Sequence, residues 1–168
     1  APQARGKPLV NLLPLEQGES ITTWMALPED ESLWESMFVM FATSQGTVRR
    51  NKLSDFTNVM ANGKIAMKLE DDSRLVSAQV CGEDDDVLLA TAAGKCIRFA
   101  VPDVRVFAGR NSIGVRGIRL AKGDRVISMS ILKHLEISTE ERDAYLRAAS
   151  SLRRQDGADG EWDFDVPM

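Results

Sequence analysis

The hydrophobic positions along this chain come in short runs of strand length rather than at helical spacing. Met37–Thr43 and Asp86–Thr91 are apolar runs, each followed by a small-polar turn ending in Gly46 or Gly94, where a left-handed residue closes a hairpin. Second strands are expected from Thr47 to near Lys52 and from Lys95 to near Val101. Each ends in a helical turn or tight loop, at Leu53–Phe56 and Val101–Val104. Further strands at Ile65–Leu69 and Arg116–Leu120, polar turns at Glu70–Ser73 and Ala121–Asp124, and apolar strands at Leu75–Val80 and Val126–Leu132 complete two matching sets. The pattern changes after Leu132. Ser138-Thr-Glu-Glu141 forms a capping box ahead of Glu140–Arg154, where Tyr145, Leu146, Ala149 and Leu152 fall at helical spacing and predict one amphipathic helix.

The two strand sets are copies of one another. FATSQGTVRRNKLSDF at Phe41–Phe56 aligns without gaps on LATAAGKCIRFAVPDV at Leu89–Val104, an offset of 48. GKIAMKLEDDSRLVSA at Gly63–Ala78 aligns on GVRGIRLAKGDRVISM at Gly114–Met129, an offset of 51, and Leu9–Trp24 is a weaker third copy. Four strands in a period of about 50 residues is the arithmetic of a propeller blade. The expected fold is therefore all-β, a partial propeller-like array of four-stranded blades followed by a C-terminal amphipathic helix. It divides into a partial blade at 1–27, blades at 28–80 and 81–132, a helical insertion or tail at 133–154 and a flexible acidic tail at 155–168. Blades of this kind bury their faces only against neighbours, so the chain reads as part of a larger array or as one closed by a partner.

With 43% hydrophobic residues in 168, the chain can build a core. Its net charge of −4 counts at first against a polyanion partner, but the charge is segregated: residues 1–40 carry −4, residues 41–120 carry +3 and residues 121–168 carry −3. The basic part coincides with the repeats. No apolar run approaches the roughly 18 residues of a membrane span and no leader opens the chain, so it reads as soluble and unprocessed. Cys81 and Cys96 sit in strand-like stretches without metal or disulfide spacing, which fits a reducing cytoplasm.

Catalytic chemistry finds no foothold. The single histidine, His134, has no nucleophile beside it in sequence, and with two separated cysteines it makes no tetrahedral metal set. Glu83–Asp86 reads as a solvated turn, and Gly114-x-x-Gly117 opens a strand rather than a helix, unlike a phosphate loop. No active site and no cofactor are expected. The recurring cations carry more information. Arg50 and Arg98 share one repeat position, Lys68 and Arg119 another, and alternation along Ile65–Leu69 puts Lys68 opposite the apolar face. Together with Arg49, Lys52, Lys64, Lys95, Arg110 and Arg116 they suit contacts to the backbone of duplex DNA, tolerant of sequence and sensitive to salt. Few aromatic residues accompany them, which disfavours stacking on single strands.

FATSQGTVRRNKLSDF, AAGKCIRFAVPDVR and above all GRNSIGVRGIRLAKGDRVISMSIL at Gly109–Leu132 closely resemble the DNA gyrase A C-terminal-domain family, over about residues 4–132. The resemblance implies a β-pinwheel, a disc of six blades whose basic rim wraps duplex DNA. That wrapping would serve ATP-dependent negative supercoiling by a type II topoisomerase, alongside the remainder of gyrase A and gyrase B, in the bacterial cytoplasm at the nucleoid. The family's basic box, similar to Q-R-R-G-G-K-G, has no counterpart here, and Tyr145 lies outside any cleavage motif. Two other readings stand beside it: the related C-terminal domain of topoisomerase IV, and a blade-repeat scaffold for protein partners. Asp156, Asp159, Glu161, Asp163 and Asp165 form an acidic tail suited to folding back on the basic surface.

Overall fold

The computed structural model describes residues 6, 8, 11, 13–60 and 63–155. It separates into a β-rich unit up to His134 and a second unit from Leu135 onward. The acidic tail beyond Gln155 lies outside the described residues.

In the first repeat the strands are β1 (Phe38–Thr43), β2 (Thr47–Lys52) and β3 (Leu75–Cys81). In the second they are β4 (Asp85–Thr91), β5 (Cys96–Ala100), β6 (Val115–Arg116) and β7 (Val126–Lys133). They form two antiparallel sheets, ordered β3-β1-β2-β6 and β5-β4-β7. The sequence offsets reappear as register: Met40 faces Arg50 and Gln79, and Leu88 faces Arg98 and Ser130. Both central strands are bulged at the same place, Ala42/Thr43 and Ala90/Thr91. Both hairpins close alike, with Gly46 at φ +81° and Gly94 at φ +76°. The buried hydroxyls of Thr43 and Thr91 accept from the amides of Thr47 and Lys95 at 3.2 and 3.3 Å.

The apolar run of β1 is buried along its whole length because both of its faces are covered. Phe38, Met40 and Ala42 join Val48, Val87, Leu89, Val126 and Met129 in the core between the two repeats. Val39 and Phe41 point to a second cluster with Trp34, Leu53 and Ala78. Trp34 sits in a 3-10 turn, Glu31–Ser36, started by Asp30, whose carboxylate accepts from the Ser32 amide at 2.9 Å, and its indole donates to the Pro28 carbonyl at 2.9 Å. The short turns expected after β2 and β5 are 3-10 helices, Leu53–Phe56 and Val101–Asp103.

Two expected strands are corrected. Of Arg116–Leu120 only the start pairs, as β6, and it pairs with β2 of the other repeat. Ile65–Leu69 forms no strand: Ala66 and Met67 pack on the second cluster while Ile65 is 68% exposed, so strict alternation fails there. The physical reason is the missing ladder. β6 exists because β2 of the preceding repeat offers it hydrogen bonds, and among the described residues no strand precedes β1 to do the same for Lys64–Ile65. Residues 13–24 of the weaker third copy likewise contain a turn but no strand.

The crossover of β6 rests on a close approach. Gly114, at φ +119°, brings its backbone onto β2, and a Cβ there would lie 2.4 Å from the Val48 carbonyl oxygen. Beyond it, the Gly117 amide donates to the Gly46 carbonyl at 2.8 Å. In the second unit, α1 (Thr139–Gln155) starts as the capping box requires, with the Glu141 amide donating to Ser138 Oγ at 3.2 Å and the Ser138 amide to Glu141 Oε2 at 2.9 Å.

Gly114→Ala is expected to destabilise the β-rich unit by about 3 kcal/mol, because it adds both a clash and a forced positive φ. Gly123→Ala, also at positive φ but with open space around it, is expected to cost about 1 kcal/mol. Thermal melting of the two variants measures the difference. The two thiols should also separate. Burial, helped by the Asp85 charge, pushes the Cys81 thiol up to about 12, whereas Cys96 is exposed. Brief alkylation of the folded chain near neutral pH, read by mass spectrometry, should label Cys96 and spare Cys81.

Candidate nucleic-acid interface

The ten cations singled out in the sequence divide into three groups. Lys52, Lys68, Lys95, Arg116 and Arg119 are exposed, and their side chains form no hydrogen bond or ion pair with any described residue. Lys64, Arg98 and Arg110 are engaged by neighbouring groups. Arg49 and Arg50 are inside the protein, at 0% and 5% exposure.

The burial of Arg49 and Arg50 is a correction to their expected place on an outer surface. β2 is covered on both faces along Thr47–Asn51, so Arg49 and Arg50 have no solvent side, and only Lys52 at its end is exposed. The Arg50 guanidinium stacks on the Phe38 ring at 4.6 Å, with the exposed Glu83 carboxylate 3.9 Å away. Arg49 faces Phe107 at 4.8 Å from its centroid. Its Nε donates to Asn51 Oδ1 at 2.7 Å, and its Nη1 donates to the Ser112 hydroxyl at 2.8 Å and to the Ser112 carbonyl. Desolvation, followed by the repulsion of Arg105, lowers the pKa of Arg49.

Arg98 occupies the position of Arg50 in the second repeat, but its partner has changed. The residue equivalent to Phe38 is Asp86, and the cation–π contact of one repeat becomes an ion pair in the other, Arg98 Nη2 to Asp86 Oδ2 at 2.7 Å. The other oxygen of Asp86 lies 2.8 Å from His134 Nδ1. Asp85 beside it accepts from Lys133 Nζ at 2.7 Å and from the Gly82 amide at 2.7 Å. Asp85 and Asp86 are therefore buried members of β4, at 6% and 4% exposure, and only Glu83 and Asp84 behave as the solvated turn expected of the acidic run. The repeat carried a signal for this, since an offset of 48 places Asp86 where the inward Phe38 stands. Burial acts to raise both carboxyl pKa values, but for Asp86 the His134 and Arg98 contacts, and for Asp85 the Gly82 and Lys133 contacts, outweigh it and hold both below the ordinary range.

A carboxylate held below its unfolded pKa stabilises the fold above that value, and the contribution is lost as pH falls through it. The window here lies below about pH 4. Asp86→Asn should cost about 1–3 kcal/mol near neutral pH, since it removes the buried carboxylate that pairs with Arg98 and contacts His134. Its melting temperature should also fall less than that of the unchanged chain between about pH 6 and about pH 3.

The sequence matches the family described as DNA gyrase C-terminal domain, beta-propeller, over residues 38–82 and 85–133. It is 54% identical over 164 residues to the DNA gyrase A protein of Granulibacter bethesdensis, covering 96% of this chain and 17% of that protein. To the DNA gyrase A protein of Rickettsia bellii it is 48% identical, covering 95% of this chain and 18% of that protein. To the Escherichia coli K12 protein of the same name it is 44% identical, covering 76% of this chain and 14% of that protein. The chain thus spans less than a fifth of these relatives. Among solved structures, the C-terminal domain of DNA topoisomerase IV superposes with a TM-score of 0.67 at 22% identity, covering 77% of this chain and 39% of that one. The DNA gyrase A C-terminal domain superposes with a TM-score of 0.62 at 25% identity, covering 76% of this chain and 41% of that one. Repeats in register, a strand lent by one blade to the other and more than half the sequence matched together place this chain in the DNA gyrase C-terminal domain, beta-propeller family.

Proposed function

We propose that this chain is a DNA-binding and DNA-wrapping portion of the gyrase A protein. Its role would be to hold duplex DNA against a basic surface, so that ATP-dependent strand passage by the whole enzyme introduces negative supercoils. The observation that carries this reading is the set of five exposed cations, Lys52, Lys68, Lys95, Arg116 and Arg119, whose side chains make no ion pair among the described residues of a blade array from this family. They supply charge without base-reading geometry, which suits contacts to phosphate. The remainder of gyrase A and the gyrase B protein would be the protein partners, and the bacterial cytoplasm at the nucleoid the location. Among the described residues no helix is long and apolar enough to cross a membrane. The topoisomerase IV likeness, at 22% identity, speaks for the fold alone, whereas relatives at 44–54% identity are gyrase A proteins.

Duplex binding measured against salt tests the proposal. If each of the five cations meets one phosphate, log K should fall against log salt with a slope of about −4.5. The double change Lys68→Gln with Arg119→Gln should flatten that slope by about 2. DNA circles closed in the presence of the chain should carry writhe of one hand. Absence of duplex binding at low salt, or a flat salt response, removes the reading.

A further inference from the structure

The segment after β5 folds back onto the first repeat and gathers several positive charges around the one carboxylate of Asp55 that acts on Arg49. Val106 bridges to Arg50, and the Phe107 amide donates to the Arg50 carbonyl at 2.8 Å, which seats Phe107 in the core beside β2. Two arginines stack on that ring, Arg49 at 4.8 Å and Arg105 at 4.0 Å. Asn51 Nδ2 holds the following turn by donating to the Phe107 carbonyl at 2.8 Å and the Gly109 carbonyl at 3.3 Å. Arg110 Nη1 then donates to the Asp55 carbonyl at 3.1 Å, and Lys64 Nζ donates to the same oxygen at 3.0 Å and to the Thr57 carbonyl at 2.8 Å.

Two features make this more than a basic surface. The heads of Lys64 and Arg110 share one acceptor, so they are no farther apart than those two hydrogen bonds laid end to end. Like charges are held that close by a neutral carbonyl, not by a carboxylate. The Asp55 carboxylate accepts from Asn51 Nδ2 at 3.3 Å and attracts the buried Arg49, while Lys64 and Arg110 are held by the Asp55 backbone carbonyl instead. In addition, donors remain unused. Arg49 is fully buried with Nη2 unpartnered, Arg110 Nε is unpartnered, and the amides of Gly109, Arg110 and Asn111 donate to none of the described residues. Amides left without an acceptor, beside clustered cations, are donors that a tetrahedral oxyanion can use.

We propose that the loop Arg105–Ser112 and Lys64 form a phosphate site, and that its ligand is a backbone phosphodiester of duplex DNA. Arg110 and Lys64 face its two free oxygens, the loop amides add neutral donors, Arg105 supplies charge at the surface, and Arg49 supports the field from inside. The site rests on the DNA reading above and deepens it, because it gives the duplex one fixed anchor among exposed cations that act only as point charges.

The test compares salt-dependent duplex binding by the 168-residue chain with that of Arg105→Gln, Arg110→Gln and Lys64→Gln. Lys122→Gln, an exposed cation outside the cluster, serves as the equal-charge control. Arg110→Gln and Lys64→Gln should each flatten the salt slope by about 0.9, with Arg110→Lys restoring it, while the control leaves it unchanged. Arg105→Gln, being exposed, keeps the comparison available if the partly buried variants fail to fold. Duplex binding with a steep slope that no cluster variant alters overturns the site and leaves the DNA reading standing. If no duplex binds at all, the DNA reading and the duplex as ligand are both overturned. A titration with inorganic phosphate then decides the site: amide shifts at Gly109–Ser112 that vanish in Arg110→Gln support a site for free phosphate, and unmoved amides overturn it.

Discussion

The pairing of β6 with β2 is the contact on which the rest of the β-rich unit depends. It is only two residues long, yet it carries the second repeat onto the first and closes the core in which Phe38, Met40 and Val48 meet Val87, Leu89 and Val126. Neither sheet could bury those residues alone, since each needs the apolar face of the other to cover its own. The close passage of Gly114 over Val48 is what makes so short a ladder sufficient, because the next anchoring bonds, from Gly117 and Ile118 to Gly46, follow within one turn of chain.

The same sandwiching explains the fate of the basic residues. A cation in a strand covered on both sides has to find its partners inside: Arg49 does so with an aromatic ring, an amide oxygen and a carbonyl, and Arg50 with an aromatic ring, backed by the exposed Glu83 carboxylate at 3.9 Å. The partners of Arg49 hold its guanidinium without cancelling its charge. The field of a buried, uncancelled cation extends to the nearby surface more strongly than through water. Arg49 therefore contributes to the electrostatics of the loop at Arg105–Ser112 without being reachable from solvent. In the second repeat the equivalent slot is neutralised by Asp86, so two copies of one blade present different electrostatic faces.

Much of this architecture could be read from the residues. The gap-free alignment at an offset of 48 located β1, β2, β4 and β5 and both hairpin glycines, because a repeat of residues is also a repeat of hydrogen-bond register. What alternation could not reveal is which face of a strand is outside when both are covered, and this is why Arg49 and Arg50 were expected at the surface. Nor could it show that a strand is conditional on a neighbour: Ile65–Leu69 has much the same pattern as Arg116–Leu120, but only the start of the latter finds a ladder. The candidate phosphate loop was the least legible part. Its cations are scattered over Lys64, Arg105 and Arg110, and they meet only because Phe107 and Asn51 pin the chain back onto β2.

The exchange of β6 also gives the contact between repeats a direction. One repeat supplies a strand and the other receives it, so the surfaces that meet are different surfaces, and no two-fold axis can relate them. An assembly built on such a joint grows one way. It ends either when accumulated rotation brings the last unit round to the first or when something else occupies the receiving edge. How many units it takes is then a matter of angle per step, and the joint that carries each step passes through the tight approach of Gly114 to Val48.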